Sequence, residues 1–436
     1  MLLVLLLGLV LQPITQGLRN QKNAVAAIRR AGGRVYYDWE PKDPELGRTG
    51  LPPAPHWLVA TLGVDFFGGV RTVHLPSTAT EETMRQVGKL SSLRKLDCSD
   101  YAGGDRGLGW LRHLKRLEEL YLEYTSIGDE GLDHLGELSS LKFLDLSSTK
   151  VTASGLAHLS RSGNLRELRL NDTGLSDEDL AHLKALNSLE SLHLMQNKLT
   201  GGGLAHLREL SHLTTLELSN NRITDGGLIH LSRLPVLASL YLSVNKVTDA
   251  GIAKLSAITS LTLLEVDGAA VTDEGLAHLG KLHDVRTLIL EFTGVSDAGM
   301  RHLRPLVKLE TLVLGSTRVK GPGLAELASL PRLESLYLRA EQIGDDKLAS
   351  IAALTSLRSL NLRELPITDR GLEHVAQLRA LRYLNISGTM ATTAGAERLA
   401  KKLPDLTIRA DKLRSSNGSK SAAGLRRSSR SARTNQ

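Results

Sequence analysis

Leucine returns along this chain with a fixed beat. Leu93, Leu96 and Cys98 form an L-x-x-L-x-L triplet, and the same triplet stands 24 residues later at Leu117, Leu120 and Leu122. It recurs without slippage to Leu381, Leu384 and Ile386, which makes thirteen copies, twelve steps of 24 from residue 93 to residue 381. Period-2 alternation around the last two positions predicts a short half-buried strand. In the unit spanning 213–236, Asn221 follows as a turn residue whose side chain can bond nearby backbone. Ile223 then points inward, Thr224-Asp225 suits a helix start, and Leu228, Leu231 and Leu234 follow at helical spacing. One unit cannot bury both its strand triplet and its helical leucines, whereas stacked units cover one another's flanks. Each buried leucine contributes roughly 1.5–3 kcal/mol before chain entropy is subtracted. The pattern predicts a solenoid with a parallel sheet on its inner side and bulkier helices outside. Solenoids mostly serve as binding surfaces.

The ends depart from the beat. Leu2 to Leu11 is an unbroken apolar run, too short to span a bilayer as a helix but the length of a signal-peptide core, with no basic residue before it. Ala24, Ala27, Ile28 and Ala31 share one helical face that Gly32-Gly33 ends, and Val35-Tyr36-Tyr37 reads as a strand. Val70, Val73 and Leu75 make a degenerate first strand, offset by one from the 24-residue phase. The net charge of +7 comes from the carboxyl end, where residues 409–436 hold eight cations and one acid, Asp411. That tail is rich in Ser, Gly and Ala without apolar period and reads as disordered. The expected organisation is an apolar signal- or anchor-like segment at 1–19, a cap at 20–75, the solenoid with a degenerate carboxyl-terminal cap at 76–408, and the basic tail at 409–436.

The phased triplets, with T-D-x-G-L segments such as Thr272-Asp273-Glu274-Gly275-Leu276, resemble the leucine-rich-repeat family over roughly residues 70 to 400. The resemblance implies an α/β right-handed solenoid, a horseshoe with a parallel concave sheet and convex helices. The helix-rich subtype occurs in bacterial repeat proteins and in the substrate-recognition half of F-box proteins, although no F-box-like segment precedes the repeats here. AVAAIRRAGGRVYYDWE at 24–40 and HWLVATLGVDFFGGVRTVHL at 56–75 are similar to the leucine-rich-repeat proteins of planctomycete bacteria. Members of that group begin with a membrane anchor just upstream, which implies export or anchoring at the cell envelope, with a cytoplasmic place as the alternative. This chain's apolar segment is shorter than such an anchor, through degradation of the anchor or a misplaced start.

Candidate chemistry is sparse. Histidines at 134, 158, 182, 206, 230, 278, 302 and 374, and aspartates at 129, 177, 225, 249, 273, 297, 345 and 369, recur as repeat positions. A ladder spreads ligands out where a metal needs them to converge, and each aspartate stands where it can cap a helix. No P-loop, Rossmann fingerprint, HExxH or nucleophile elbow is present. No enzymatic activity, cofactor or metal is expected. Cys98 sits at an inward strand position as a small hydrophobe.

The informative positions are those the repeat does not dictate, namely two, four, six and seven places after the first leucine. They carry Tyr121, Tyr124, Phe143, Tyr241, Phe292, Tyr337 and Tyr383. The same positions carry Asp97, Glu119, Glu123, Asp145, Glu167, Glu217, Glu265, Asp267 and Glu291, opposed early only by Lys95 and Arg169 and later by Arg339 and Arg363. Exposed rings anchor interfaces. A solvated sheet face of β-formers is the plain alternative. The sharper expectation is a concave protein-binding groove near repeats two to nine that takes a partner with a basic segment. The repeats lack a basic stripe with stacking aromatics, so no specific nucleic acid is expected. The apolar amino end or the basic tail offers a membrane contact. The other function class is the substrate-recognition subunit of a ubiquitin ligase. Oligomeric state is open.

Overall fold

The computed structural model describes residues 2–40, 50–339 and 343–411. The chain divides into two compact units, Met1–Glu217 and Leu218–Gln436. Each is a stack of the predicted repeats. A solenoid has only neighbour contacts, so the division falls between strands rather than at a linker.

In the first unit, helix α1 (Leu2–Arg30) runs across the expected boundary at residues 19 and 20 and ends ahead of Gly32, whose φ of 89° reverses the chain. Strand β1 (Arg34–Tyr37) pairs antiparallel with β2 (Val70–His74). Strands β3 (Lys95–Asp97), β4 (Glu119–Tyr121), β5 (Phe143–Asp145), β6 (Glu167–Arg169), β7 (Ser191–His193) and β8 (Thr215–Glu217) then add in parallel, in chain order. Val73 faces Leu96, the one-residue offset expected for the first strand, and from there Leu96, Leu120, Leu144 and Leu168 lie in register.

The second unit holds β9 (Ser239–Tyr241), β10 (Leu263–Glu265), β11 (Thr287–Ile289), β12 (Thr311–Gly315), β13 (Ser335–Arg339), β14 (Ser359–Asn361), β15 (Tyr383–Asn385) and β16 (Thr407–Arg409), all parallel. Strand β16 departs from the sequence reading, which assigned Arg409 to a tail. It extends the 24-residue phase by one unit in which Asp405 and Ala410 replace the flanking leucines. The remainder of the expected tail, 412–436, lies outside the described residues.

In both units the triplet leucines are buried. The helical side is less regular than predicted. Asp129–Leu135, Asp249–Leu255, Asp273–Leu279 and Asp369–Val375 are α-helical, but Glu178–Ala185, Gly202–Glu209 and Pro322–Ser329 are 3-10 helices. Leu204, Leu207 and Leu210 recur every third residue, which a three-residue turn aligns on one side. Among the described residues, no helix is long and apolar enough to cross a membrane.

The T-D-x-G-L segment acts between repeats. Its aspartate was expected to cap its own helix, but the threonine does that. Thr248 and Thr272 accept N–H bonds from Ala250 and Glu274. The aspartate instead reaches the next repeat. Asp225 accepts the Thr248 N–H at 2.8 Å and its hydroxyl at 2.6 Å, and Asp249 does the same for Thr272 at 2.7 and 2.6 Å. Asp129 holds Thr152, Asp273 holds Ser296, Asp345 holds Thr368, and Asp369 holds Thr392 in the same way. The glycine explains itself here, because a methyl group on Gly251 would overlap the Asp225 carboxylate, and one on Gly275 that of Asp249. On the turn side, Asn245 donates to the Leu218 and Leu242 carbonyls at 2.9 and 3.0 Å and accepts the Ile223 N–H at 2.9 Å. Buried backbone groups in the turns are thereby satisfied.

Candidate functional site

The pleat sorts the free positions. On β4, Leu120 is buried while Glu119 and Tyr121 are half-exposed on the open sheet face, and β3, β6, β7, β8, β9, β10, β11 and β14 repeat this alternation. The seventh position leaves the sheet with positive φ in nearly every repeat, as at Tyr124 (57°), Ser148 (54°), Asp172 (54°), Val244 (54°) and Phe292 (55°). Asparagine and aspartate tolerate this region, whereas a β-branched valine there is strained, by roughly 1–2 kcal/mol.

In the first unit the expected residues come together but satisfy one another. Lys95 Nζ lies 4.6 Å from the centre of the Tyr121 ring, the Tyr121 and Phe143 rings are 4.5 Å apart, and the Arg169 guanidinium lies 5.0 Å from the Phe143 ring. Four successive strands thus carry cation, ring, ring and cation. The acids join this ladder. Glu119 lies 3.3 Å from Lys95, Glu167 lies 2.7 Å from Arg169, and Asp97 lies 3.2 Å from His74. Burial opposes ionisation of Asp97, but bonds from His74 and Ser99 outweigh it and hold the carboxyl at about 2. Burial, with the Arg169 charge beside it, lowers the His193 pKa.

Asp145 corrects the sequence reading. It was expected to be an exposed groove acid, yet it is 2% exposed, accepts the Ser147 N–H at 2.9 Å and lies 3.7 Å from Arg169. Its carboxylate belongs to the ladder's foundation rather than to the exposed face. Among the described residues Glu123 forms no ion pair, and burial together with Asp145 and Asp97 raises its pKa against the nearby Arg169 charge. Tyr124 stands at the sheet margin, 65% exposed. Glu217 lies on β8, two strands beyond Arg169 on β6.

The second unit differs. Glu265 on β10 accepts a bond from the Ser243 hydroxyl at 2.6 Å, and Asp267, two places further on, accepts the Glu291 N–H at 2.7 Å. Glu291 follows β11 one repeat later, with its carboxylate lying over Gly315, where a methyl group would displace it. Among the described residues no cation forms an ion pair with Glu265, Asp267 or Glu291. Burial, then the Glu265 and Glu291 charges, push the Asp267 carboxyl up to about 6, against the Glu291 N–H bond that lowers it. Beside this cluster stand Tyr241, half-buried on β9, and two exposed apolar side chains at the strained seventh position, Val244 (57%) and Phe292 (60%). Sequence reasoning passed over Val244 because it is not aromatic. Its signal was its place in the period, 48 residues before Phe292.

Further along the second unit the basic residues pair locally. Arg339 and Arg363 share Glu364 at 3.0 and 2.9 Å. Tyr337 on β13 and Tyr383 on β15 are half-exposed and lie two strands apart. Among the described residues, the early-acidic, late-basic trend therefore leaves a crowded acidic patch without an ion-paired cation on β9–β11 and the turns that follow them. Among the described residues no group of three or more His, Cys, Asp and Glu is placed to hold a metal ion.

Comparison with known proteins agrees with this architecture. A family model described as the leucine-rich repeat region matches residues 152–420. An internalin from Listeria monocytogenes superposes with a TM-score of 0.54 at 25% identity, over 69% of this chain and 82% of that one. TLR13, in its complex with ssRNA13, gives a TM-score of 0.52 at 19% identity, over 76% of this chain and 54% of that one. A leucine-rich-repeat protein from Leptospira interrogans gives 0.48 at 20% identity, over 77% and 80%. No curated protein sequence matches the chain.

Proposed function

Because the chain belongs to the leucine-rich-repeat family, whose repeats typically form binding modules, we propose that it is a non-catalytic protein-binding module. Its site is the acidic patch on β9–β11, and its partner presents a segment that combines lysine or arginine with apolar side chains. The observation that carries this reading is the crowding of Glu265, Asp267 and Glu291 without a paired cation, beside exposed Val244 and Phe292. Like charges held together cost stability, and a cationic ligand relieves that cost. Exposed apolar side chains on strained backbone add a second cost that an interface would offset. Carboxylates at these places repel a phosphate backbone, so a polypeptide fits better than a nucleic acid.

The test compares two charge reversals in the full chain. Glu265→Lys with Glu291→Lys alters the uncompensated patch, and Glu119→Lys with Glu167→Lys alters the paired acids of the first unit. Binding of a panel of Lys/Arg peptides, each with one aromatic residue, is then measured at low salt. The first pair of changes is expected to weaken binding by roughly 30-fold or more, at ~1–2 kcal/mol per lost charge contact, and the second to leave it nearly unchanged. Equal effects of the two pairs would refute the assignment. We place the chain at the cell envelope on account of the apolar run from Leu2 to Leu11 and the resemblance to anchored planctomycete proteins. Recovery of all the protein in the soluble cytosolic fraction of its native cells would reject that placement.

A further inference from the structure

The patch on β9–β11 has a candidate occupant within the same chain. Residues 412–436 hold Lys412, Arg414, Lys420, Arg426, Arg427, Arg430 and Arg433, and no acid. We propose that this carboxyl-terminal basic segment docks on the Glu265–Asp267–Glu291 patch and competes there with the external basic partner. The proposal rests on the binding reading above.

Three features of the molecule support it. The first is charge. Among the described residues no cation pairs with the patch acids, the segment holds no acid, and arginine adds stacking on rings such as Phe292. Leu413 and Leu425 supply apolar side chains to match Val244 and Phe292.

The second is the point of departure. Asp411 follows β16 at the sixth place of its repeat. Its N–H bonds the Ser387 hydroxyl at 3.0 Å, and its carbonyl accepts the Gly388 N–H at 3.3 Å. Asp267 and Glu291 hold the sixth place of their own repeats, since 411 − 291 is five periods of 24 and 291 − 267 is one. Asp411 therefore stands in the same row of the sheet that carries the patch.

The third is reach. Strands β10 and β16 are six intervals apart, which at ~4.8 Å each is about 29 Å. Fifteen residues lead from Asp411 to Arg426, and these span up to about 50 Å when extended. Arg426 to Arg433 then fall within reach of β10 and β11.

The experiment uses the full chain and a fluorescent peptide with the sequence of 412–436. One variant neutralises the segment: Arg426→Ser, Arg427→Ser, Arg430→Ser and Arg433→Ser. A second carries Glu265→Gln, Asp267→Asn and Glu291→Gln. The segment variant is expected to bind the added peptide at least ~tenfold tighter than the unaltered chain, because a tethered competitor acts at an effective concentration near millimolar. The gap is expected to close in ~0.5 M salt, and the patch variant to bind poorly. If the peptide binds the patch equally well with and without the segment's arginines, the proposal is overturned while the binding reading stands. If the peptide binds and the patch substitutions make no difference, the binding reading fails and this one with it. A gap that grows with protein concentration would overturn docking within one chain in favour of docking between two copies.

Discussion

Partial burial between Glu265 and Glu291 pushes the Asp267 carboxyl up to about 6, above an ordinary aspartate. A carboxyl whose pKa rises on folding binds its proton more tightly in the native chain than in the unfolded one. The native state is therefore favoured below about pH 4, and this advantage is lost as pH climbs through about 6. Binding runs the other way. A cationic ligand needs the carboxylate, so affinity for a basic peptide is expected to rise roughly three- to tenfold between pH 5 and pH 7, the worth of ~1 kcal/mol in a charge pair. Titration calorimetry at both pH values checks this, with Asp267→Asn as the control that should flatten the rise. A profile that stays flat in the unaltered chain would remove Asp267 from the interface. The residue scale also shows why acid count misleads. Asp145 and Asp267 both read in sequence as acids of the open face, at the fourth and sixth places of their repeats, but one is buried against Arg169 and the other crowds against like charge.

At the scale of elements, the repeat is held by two polar devices as well as by its leucines. On the helical side, Asp249 bonds both the N–H and the hydroxyl of Thr272. On the turn side, Asn245 bonds four backbone groups. Asn245→Ala leaves those groups without their partner and is expected to cost ~2–3 kcal/mol, and Asp249→Ala, which is more open to water, ~1–2 kcal/mol. Urea unfolding of the two variants against the parent measures both. Asn245→Thr should recover part of the loss, because Thr293 and Thr389 at the same repeat position bond the carbonyl three residues back.

The strands and turns were legible in the sequence because the 24-residue period carries them. The aspartate's true partner was not, because helix capping and bonding to the next repeat use the same residue at the same place. Strand β16 was hidden by Asp405 and Ala410, which break the apolar triplet without breaking the backbone pairing. The choice between α and 3-10 helix depends on a register that leucines spaced by three satisfy either way. Of the candidate face, the composition was legible. The neutralisation of its first half was not, because it depends on where the Lys95 and Arg169 side chains come to rest over Tyr121 and Phe143.

For the whole molecule, the Asp-to-Thr bonds set a rule of length. Every such carboxylate belongs to one coil and its partners to the coil after it, 23 residues on, as with Asp225 and Thr248. Cutting out 249–272 would join Thr248 to Asp273 and return every donor to an acceptor of the same kind. Cutting out 249–260 would strand Asp225 and Thr248 on a half-coil with its leucines facing water. The first excision is expected to leave a cooperative thermal transition and the second to abolish it, which circular dichroism on heating distinguishes. A polypeptide fastened this way grows or shrinks by complete windings, as a spring is cut only at its turns, so its span can be inherited or engineered in 24-residue increments while the surface chemistry of each winding varies independently.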